Sequence, residues 1–443
     1  MKHSSFLIAA PKSNSGKTMV TLGLIQALVK RGLKVQPFKS GPDYIDPMHH
    51  TKVAGQASYN LDLWMSNKEH VEDLYQEHAS KSEVSIIEGV MGLFDGAKKD
   101  EGSSAALACM LDVPVILVVD ASSVAYSIAP LLYGFKHFNK EVKIAGVIFN
   151  KVAGEGHFEF LKEAAIDAGV EVLGYMPRDE RLAIESRHLG LHLPGENKNL
   201  TIVETAAELL EQHVNIERLL QLTHSELHPV DKQEPTCSFD QLTIALANDE
   251  AFNFSYRANR DALDRLGNVI EFSPLNDKAI PKSDLLWLPG GYPELFAGQL
   301  ANNKTMHQSI HAHIDANKAV IAECGGMMYL GNQLITKDRR KYRMAGVFDF
   351  DTSFETMKLH LGYRLIKDGS IELKGHEFHY SEIQQKNDLP QVLDVKTARG
   401  RSSDMAIYRR NNCWASYMHL YLGETEHMIN FLKQLGLCQN KEY

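Results

Sequence analysis

Two short glycine-bearing turns constrain this chain more than anything else in it, because each calls for a strand before it and a helix after it. Gly16-Lys17-Thr18 closes the run Ala10-Pro11-Lys12-Ser13-Asn14-Ser15 near the N-terminus. Cys324-Gly325-Gly326 follows Ala322-Glu323 deep in the second half. The first has the make-up of a nucleotide-phosphate cradle, the second that of a turn presenting a thiolate. A chain with both is expected to couple ATP cleavage to nucleophilic cysteine chemistry.

The pattern around the turns is α/β. Short β-branched runs at 5–10, 34–38, Val84–Glu88, 113–120, 144–150 and 170–175 alternate with helical stretches at 18–30, 103–111 and 158–167. Such alternation predicts a mostly parallel sheet covered on both faces. After a helical 201–221, residues 223–240 carry two prolines, several charges and no periodicity, as a linker would. Strand patterns restart at 242–247, 269–272, Leu285–Leu288 and 320–323, and a β-rich tail includes 375–383 and 414–421. The 443 residues exceed one ordinary core. The expectation is therefore two doubly wound α/β domains, 1–222 and 241–443, joined by the linker 223–240.

Composition narrows the class. A formal charge of −9 argues against nucleic acid as the main partner. Cys109, Cys237, Cys324, Cys413 and Cys438 are odd in number and lack metal-ligand or disulfide spacing, which points to a reducing compartment. No run is long enough for a signal h-region or a membrane span, so a cytoplasmic protein is expected.

A phosphate loop aims backbone N–H groups and a helix N-terminus at phosphate oxygens. In that reading Ser13, Asn14, Ser15 and Gly16 form the cradle, Lys17 meets the β/γ-phosphates, and Thr18 ligates Mg²⁺. Pro11 stands where the usual pattern has its first glycine. Lys12 lies where a subgroup of such ATPases places a lysine that reaches a partner's nucleotide, which leaves a homodimer open. The loop 41–47 brings Asp43 and Asp46, either as metal or substrate contacts or as a capped turn. Glu88 follows an apolar strand in the Walker-B place, ahead of the glycine-rich 89–96. Asn150 ends another strand, where its amide can read a base. Asp120 is read as structural.

Cysteine attacks as a thiolate, so Cys324 needs a general base and an oxyanion cradle. The Gly325 N–H supplies one donor, and the turn Pro289-Gly290-Gly291 after Leu285–Leu288 is the source of a second. Pattern alone leaves His376, His379 and His419 open as the base.

In this order the motifs resemble one family, the cobyrinic acid a,c-diamide synthases, in which a dethiobiotin-synthetase-like ATPase is fused to a class I glutamine amidotransferase. The matching segments are 11–18, 41–47, 88–96, 174–179, 186–191, 290–295, 323–330, 375–381 and 416–420. The resemblance implies a P-loop sheet followed by a flavodoxin-like glutaminase sheet. It also implies Cys324 as nucleophile on L-glutamine, His419 as base, and Gly291 and Gly325 as oxyanion donors. Tyr421 stands where the usual class I site has a glutamate, so a Cys–His dyad is expected. ATP would convert a corrinoid or related tetrapyrrole carboxylate to an acyl phosphate that ammonia displaces. Thr18, Asp43 and Glu88 would hold Mg²⁺, while Tyr44, Asp46, Met91, Gly92, Leu93 and Asp95 would face the macrocycle. The nearest rival is Ni-sirohydrochlorin a,c-diamide synthase; cobyric acid synthase is more distant. Of other classes, a ParA/MinD-like switch has no need of the cysteine set, and an ATP-independent cysteine hydrolase none of Lys17 and Glu88.

Overall fold

The computed structural model describes residues 3–182, 197–227, 242–368, 371–386 and 393–437. The segment 186–191, most of the expected linker, Cys237 and Cys438 lie outside them. Two compact units divide the chain, 1–232 and 233–443.

In the first unit the strands are β1 (His3–Ala9), β2 (Val35–Ser40), β3 (Tyr59–Leu61), β4 (Val84–Glu88), β5 (Val115–Asp120), β6 (Ile144–Val152), β7 (Val172–Pro177) and β8 (His224–Ser225). Seven run in the order β3-β2-β4-β1-β5-β6-β7, all parallel, and β8 pairs antiparallel with the start of β1. Residues 224–225 are thus part of the first sheet rather than of a linker. The strands read as unbroken apolar runs because helices cover both faces. Helix α1 (Lys17–Lys30) buries Val20, Leu24, Ile25 and Leu28 against the core, the spacing of one helical face.

Helix α2 (Ile45–Ala54) was not expected. It begins inside the segment read as a stiff loop, because Asp43 Oδ1 accepts the N–H groups of Ile45 and Asp46 at 2.9 and 3.0 Å. Pro47 is compatible with that start, since the first turn's N–H groups have no helical acceptor.

The second unit's main sheet runs β10-β9-β11-β12, from β9 (Thr243–Ala247), β10 (Asn268–Phe272), β11 (Leu285–Leu288) and β12 (Ala319–Glu323). Cys413–Ser416 then adds in parallel, and Ile407–Arg410 adds antiparallel. Two four-stranded sheets complete the unit. The expected single strand over 414–421 is in fact two. Cys413–Ser416 belongs to the main sheet, whereas Met418–Leu420 pairs with Ile371–His379. Ser416 Oγ accepts the Met418 N–H at 3.0 Å and so turns the chain from one sheet to the other.

Candidate active sites

At the first site Gly16 adopts φ 92° and Asn14 φ 62°, so the loop turns through left-handed positions despite Pro11. Asn150 does not present its amide outward. Its Nδ2 donates to the Ser15 carbonyl at 2.9 Å, and its Oδ1 accepts the Lys151 N–H. A Cβ on Gly16 would lie 2.0 Å from that Nδ2. Asn150 therefore braces the loop.

The strand ends bring charged groups together. Thr18 Oγ1 donates to Glu88 Oε1 at 2.6 Å and lies 3.5 Å from Asp46 Oδ2. Lys39 Nζ meets Asp46 Oδ2 at 2.5 Å, Glu88 Oε1 at 3.1 Å and Asp43 Oδ2 at 3.7 Å. The buried His50 donates from Nε2 to the other Glu88 oxygen at 2.7 Å. Burial opposes the Glu88 charge, but Lys39 and His50 overcome it and hold the carboxyl well below its usual range. Lys39 is likewise opposed by burial, yet the three carboxylates hold it above the usual lysine range. Burial and then the Lys39 charge lower Lys17, whose Nζ donates to the Met91 carbonyl at 2.5 Å.

This grouping revises the assignment of metal ligands. Asp46, expected to face substrate, lies with Thr18 and Glu88. Asp43 spends one oxygen capping α2, and burial, with Asp46 beside it, pushes its carboxyl up. An alcohol and carboxylates at one place are the hard oxygen donors that a divalent cation such as Mg²⁺ takes. Of the expected substrate contacts, Met91 is exposed, but Leu93 is buried with its N–H on the Ala10 carbonyl. Asp95 accepts the Gly92 N–H at 2.9 Å inside its own loop, and Tyr44 is buried beside the α2 start. Lys39 and His50 carry no motif signal and escape sequence reading.

At the second site Cys324 follows β12 with φ 43°, a strained conformation for a residue with a side chain. Its N–H donates to the Ser416 carbonyl at 2.8 Å. A Cβ on Gly325 would lie 3.0 Å from the Gly291 nitrogen, so the elbow packs closely against the Gly290-Gly291 turn. Burial first, and the Glu294 charge second, push the Cys324 thiol up. The helix Gly325–Leu330 does not outweigh the loss of water.

The three histidines are now distinguishable. His379 has both nitrogens engaged, by Glu377 Oε1 at 2.8 Å and the Ser381 carbonyl at 2.9 Å. His376 Nδ1 pairs with the Tyr256 hydroxyl at 2.8 Å. His419 packs on the glycine turn, where a Cβ on Gly290 would come within 2.2 Å of its Cε1. Burial, then His376 and His379, hold His419 well below its ordinary value, so it is a neutral imidazole able to take a proton. His360, Glu377 and His379 also converge within 4.8 Å, but the two rings stack 7° from parallel. No single ion lies in both ring planes, as ligation by both would require.

Residues 243–427 match the CobB/CobQ-like glutamine amidotransferase domain, and residues 6–191 match the CobQ/CobB/MinD/ParA nucleotide binding domain. A cobyrinate a,c-diamide synthase of Listeria monocytogenes is 39% identical, covering 97% of this chain and 98% of its own. One from Salmonella typhimurium is 38% identical, with 97% of each chain covered. A hydrogenobyrinate a,c-diamide synthase of Brucella anthropi is 40% identical, covering 94% of this chain and 98% of its own.

Proposed function

The chain belongs to the cobyrinate a,c-diamide synthase family, and we propose that it amidates the a- and c-acetates of cobyrinic or hydrogenobyrinic acid with ATP and glutamine. The observation that carries the reading is the strained Cys324 elbow beside the Gly290-Gly291 turn and His419. A nucleotide switch has no use for it. No helix among the described residues is long and apolar enough to cross a membrane, in keeping with a cytoplasmic enzyme acting on small molecules.

In the glutaminase half, Cys324 Sγ attacks the glutamine side-chain carbonyl as its proton passes to His419. The Gly291 and Gly325 N–H groups hold the oxyanion. His419 returns the proton to the departing ammonia, and water then cleaves the glutamyl thioester. Burial pushes the thiol up and the imidazole down, which disfavours a preformed thiolate–imidazolium pair before glutamine binds.

In the synthetase half, the 13–18 backbone and Lys17 cradle the ATP phosphates, and a substrate carboxylate takes the γ-phosphoryl group. Mg²⁺, held by Thr18, Glu88 and Asp46, would supply charge neutralisation between phosphates. Lys39 pairs with Asp46 and Glu88. Ammonia displaces phosphate to leave the amide.

The relatives named for cobyrinate and hydrogenobyrinate are equally similar. The deciding experiment therefore offers cobyrinic acid, hydrogenobyrinic acid and Ni-sirohydrochlorin separately, with ATP, Mg²⁺ and glutamine. The small mass loss of two acid-to-amide conversions is expected with one of the first two. Product from Ni-sirohydrochlorin alone would favour the rival, and product from none would sink the assignment.

A further inference from the structure

Glu323 ends β12 immediately before the nucleophile and is buried, yet the dyad chemistry above gives it no task. Its Oε1 accepts the Leu420 N–H at 2.8 Å, and its Oε2 accepts Trp287 Nε1–H at 3.2 Å. Among the described residues it has no cationic partner. A buried carboxyl without a counter-charge is costly to keep, and burial pushes this one up to about 8.

Two hydrogen bonds tie the cysteine elbow to the segment that bears His419. The Cys324 N–H reaches the Ser416 carbonyl on one side of the histidine, and Glu323 takes the Leu420 N–H on the other. Between those anchors the chain changes sheets, so Met418–Leu420 is not aligned with β12 by the ladder that aligns Cys413–Ser416. The Trp287 bond fixes the carboxyl's rotation and so aims its other oxygen.

We propose that Glu323 is a positioning residue of the thiol site, whose side-chain oxygen Oε1 fixes the His419 strand against the Cys324 strand by accepting the Leu420 N–H. The inference rests on the Cys324–His419 reading above. It supplies from the nucleophile strand the support that a class I site usually takes from a carboxylate two residues beyond the histidine, where this chain has Tyr421. Acceptance, not charge, is the useful property. Behind burial and Glu294, the Glu323 charge adds to the forces raising the Cys324 thiol, so ionisation would work against attack.

That distinction sets the test, made on the full chain. Glu323→Gln keeps the reach and an acceptor oxygen but loses the charge. Glu323→Asp keeps the charge but withdraws the acceptor by a methylene. The kcat for glutamine hydrolysis should stay within about tenfold of wild type in the Gln variant and fall about a hundredfold in the Asp variant, the scale of a small misplacement of reacting groups. In both, the glutamine KM and the ammonium-driven synthesis should be unchanged. An Asp variant as active as the Gln variant would overturn the proposal, as would loss of ammonium-driven synthesis alongside glutaminase. Cys324→Ala serves as the control for the underlying reading. If it still hydrolyses glutamine, the dyad itself is wrong, whatever the Glu323 variants do.

Discussion

The two sites solve opposite electrostatic problems. Around Thr18 opposite charges meet in direct contact: Lys39 lies among Asp43, Asp46 and Glu88, and His50 closes the far side of Glu88. Around Cys324 the titratable groups are buried with little compensation, so the thiol is pushed up while His376 and His419 are pushed down. A phosphoryl group brings its own negative charge, and a site for it gains from fixed opposite charge. Amide hydrolysis instead requires a proton to leave and return, which neutral neighbours permit. The lesson is that one chain offsets burial with opposite charges in one unit and lets burial suppress charge in the other.

The contrast breaks most visibly at Lys17. Lys17→Ala should lower amide synthesis at least about a thousandfold, from glutamine and from ammonium alike, while glutamine hydrolysis persists. If hydrolysis vanished too, the sites would not be chemically separate. Next, Lys39→Met leaves buried carboxylates without their counter-charge and should cost about 3 kcal/mol of stability in the first unit, measurable by denaturant unfolding. A neutral result would mean that the matched cluster is not what keeps this unit together.

At the thiol site, Gly290→Ala drives a methyl into the His419 ring. Glutamine kcat should drop about a hundredfold with synthesis from ammonium retained, read by comparing the two nitrogen donors. The smallest effect is pH. His376 and His419 are held below the ordinary histidine value, so the unfolded chain binds their protons first. Each should cost about 1 kcal/mol of stability once pH falls one unit below about 6.5. Glu323, raised by burial, acts in the opposite sense and gains stability as pH falls through about 8. Glu88 is depressed, so its contribution survives until pH drops below the ordinary carboxylate value of about 4.3. In the Glu323→Gln variant, which removes that gain, hydrogen exchange followed by mass should show the second unit loosening near pH 5.5 while Glu88 still supports the first. Equal loosening of both would remove the contrast.

Much of this was legible in sequence because both turns obey local rules. Gly16-Lys17-Thr18 and Cys324-Gly325-Gly326 sit where an apolar run gives way to a helical pattern, and the parallel sheets follow from the same alternation. What escaped depends on contacts between distant residues. Lys39 and Glu88 adjoin because β2 pairs with β4, and nothing near Lys39 announces that. The start of α2 was hidden because Asp43 and Pro47 serve a turn and a helix cap equally well. The break at Tyr417 was invisible because apolar residues continue on both sides of it, and only pairing partners tell one sheet from another.

The two-residue β8 has a consequence for biosynthesis. β1 lies at the centre of its sheet and is made before the strands that pair with it, yet His3 and Ser4 receive their antiparallel partners only from residues 224–225. At elongation rates of about 5–20 residues per second, that clasp closes roughly ten to forty-five seconds after β1 is made. Through this interval the start of the chain's most central strand stays open on that edge. The stretch of chain between β7 and β8 thus sets how long that edge waits for its partner.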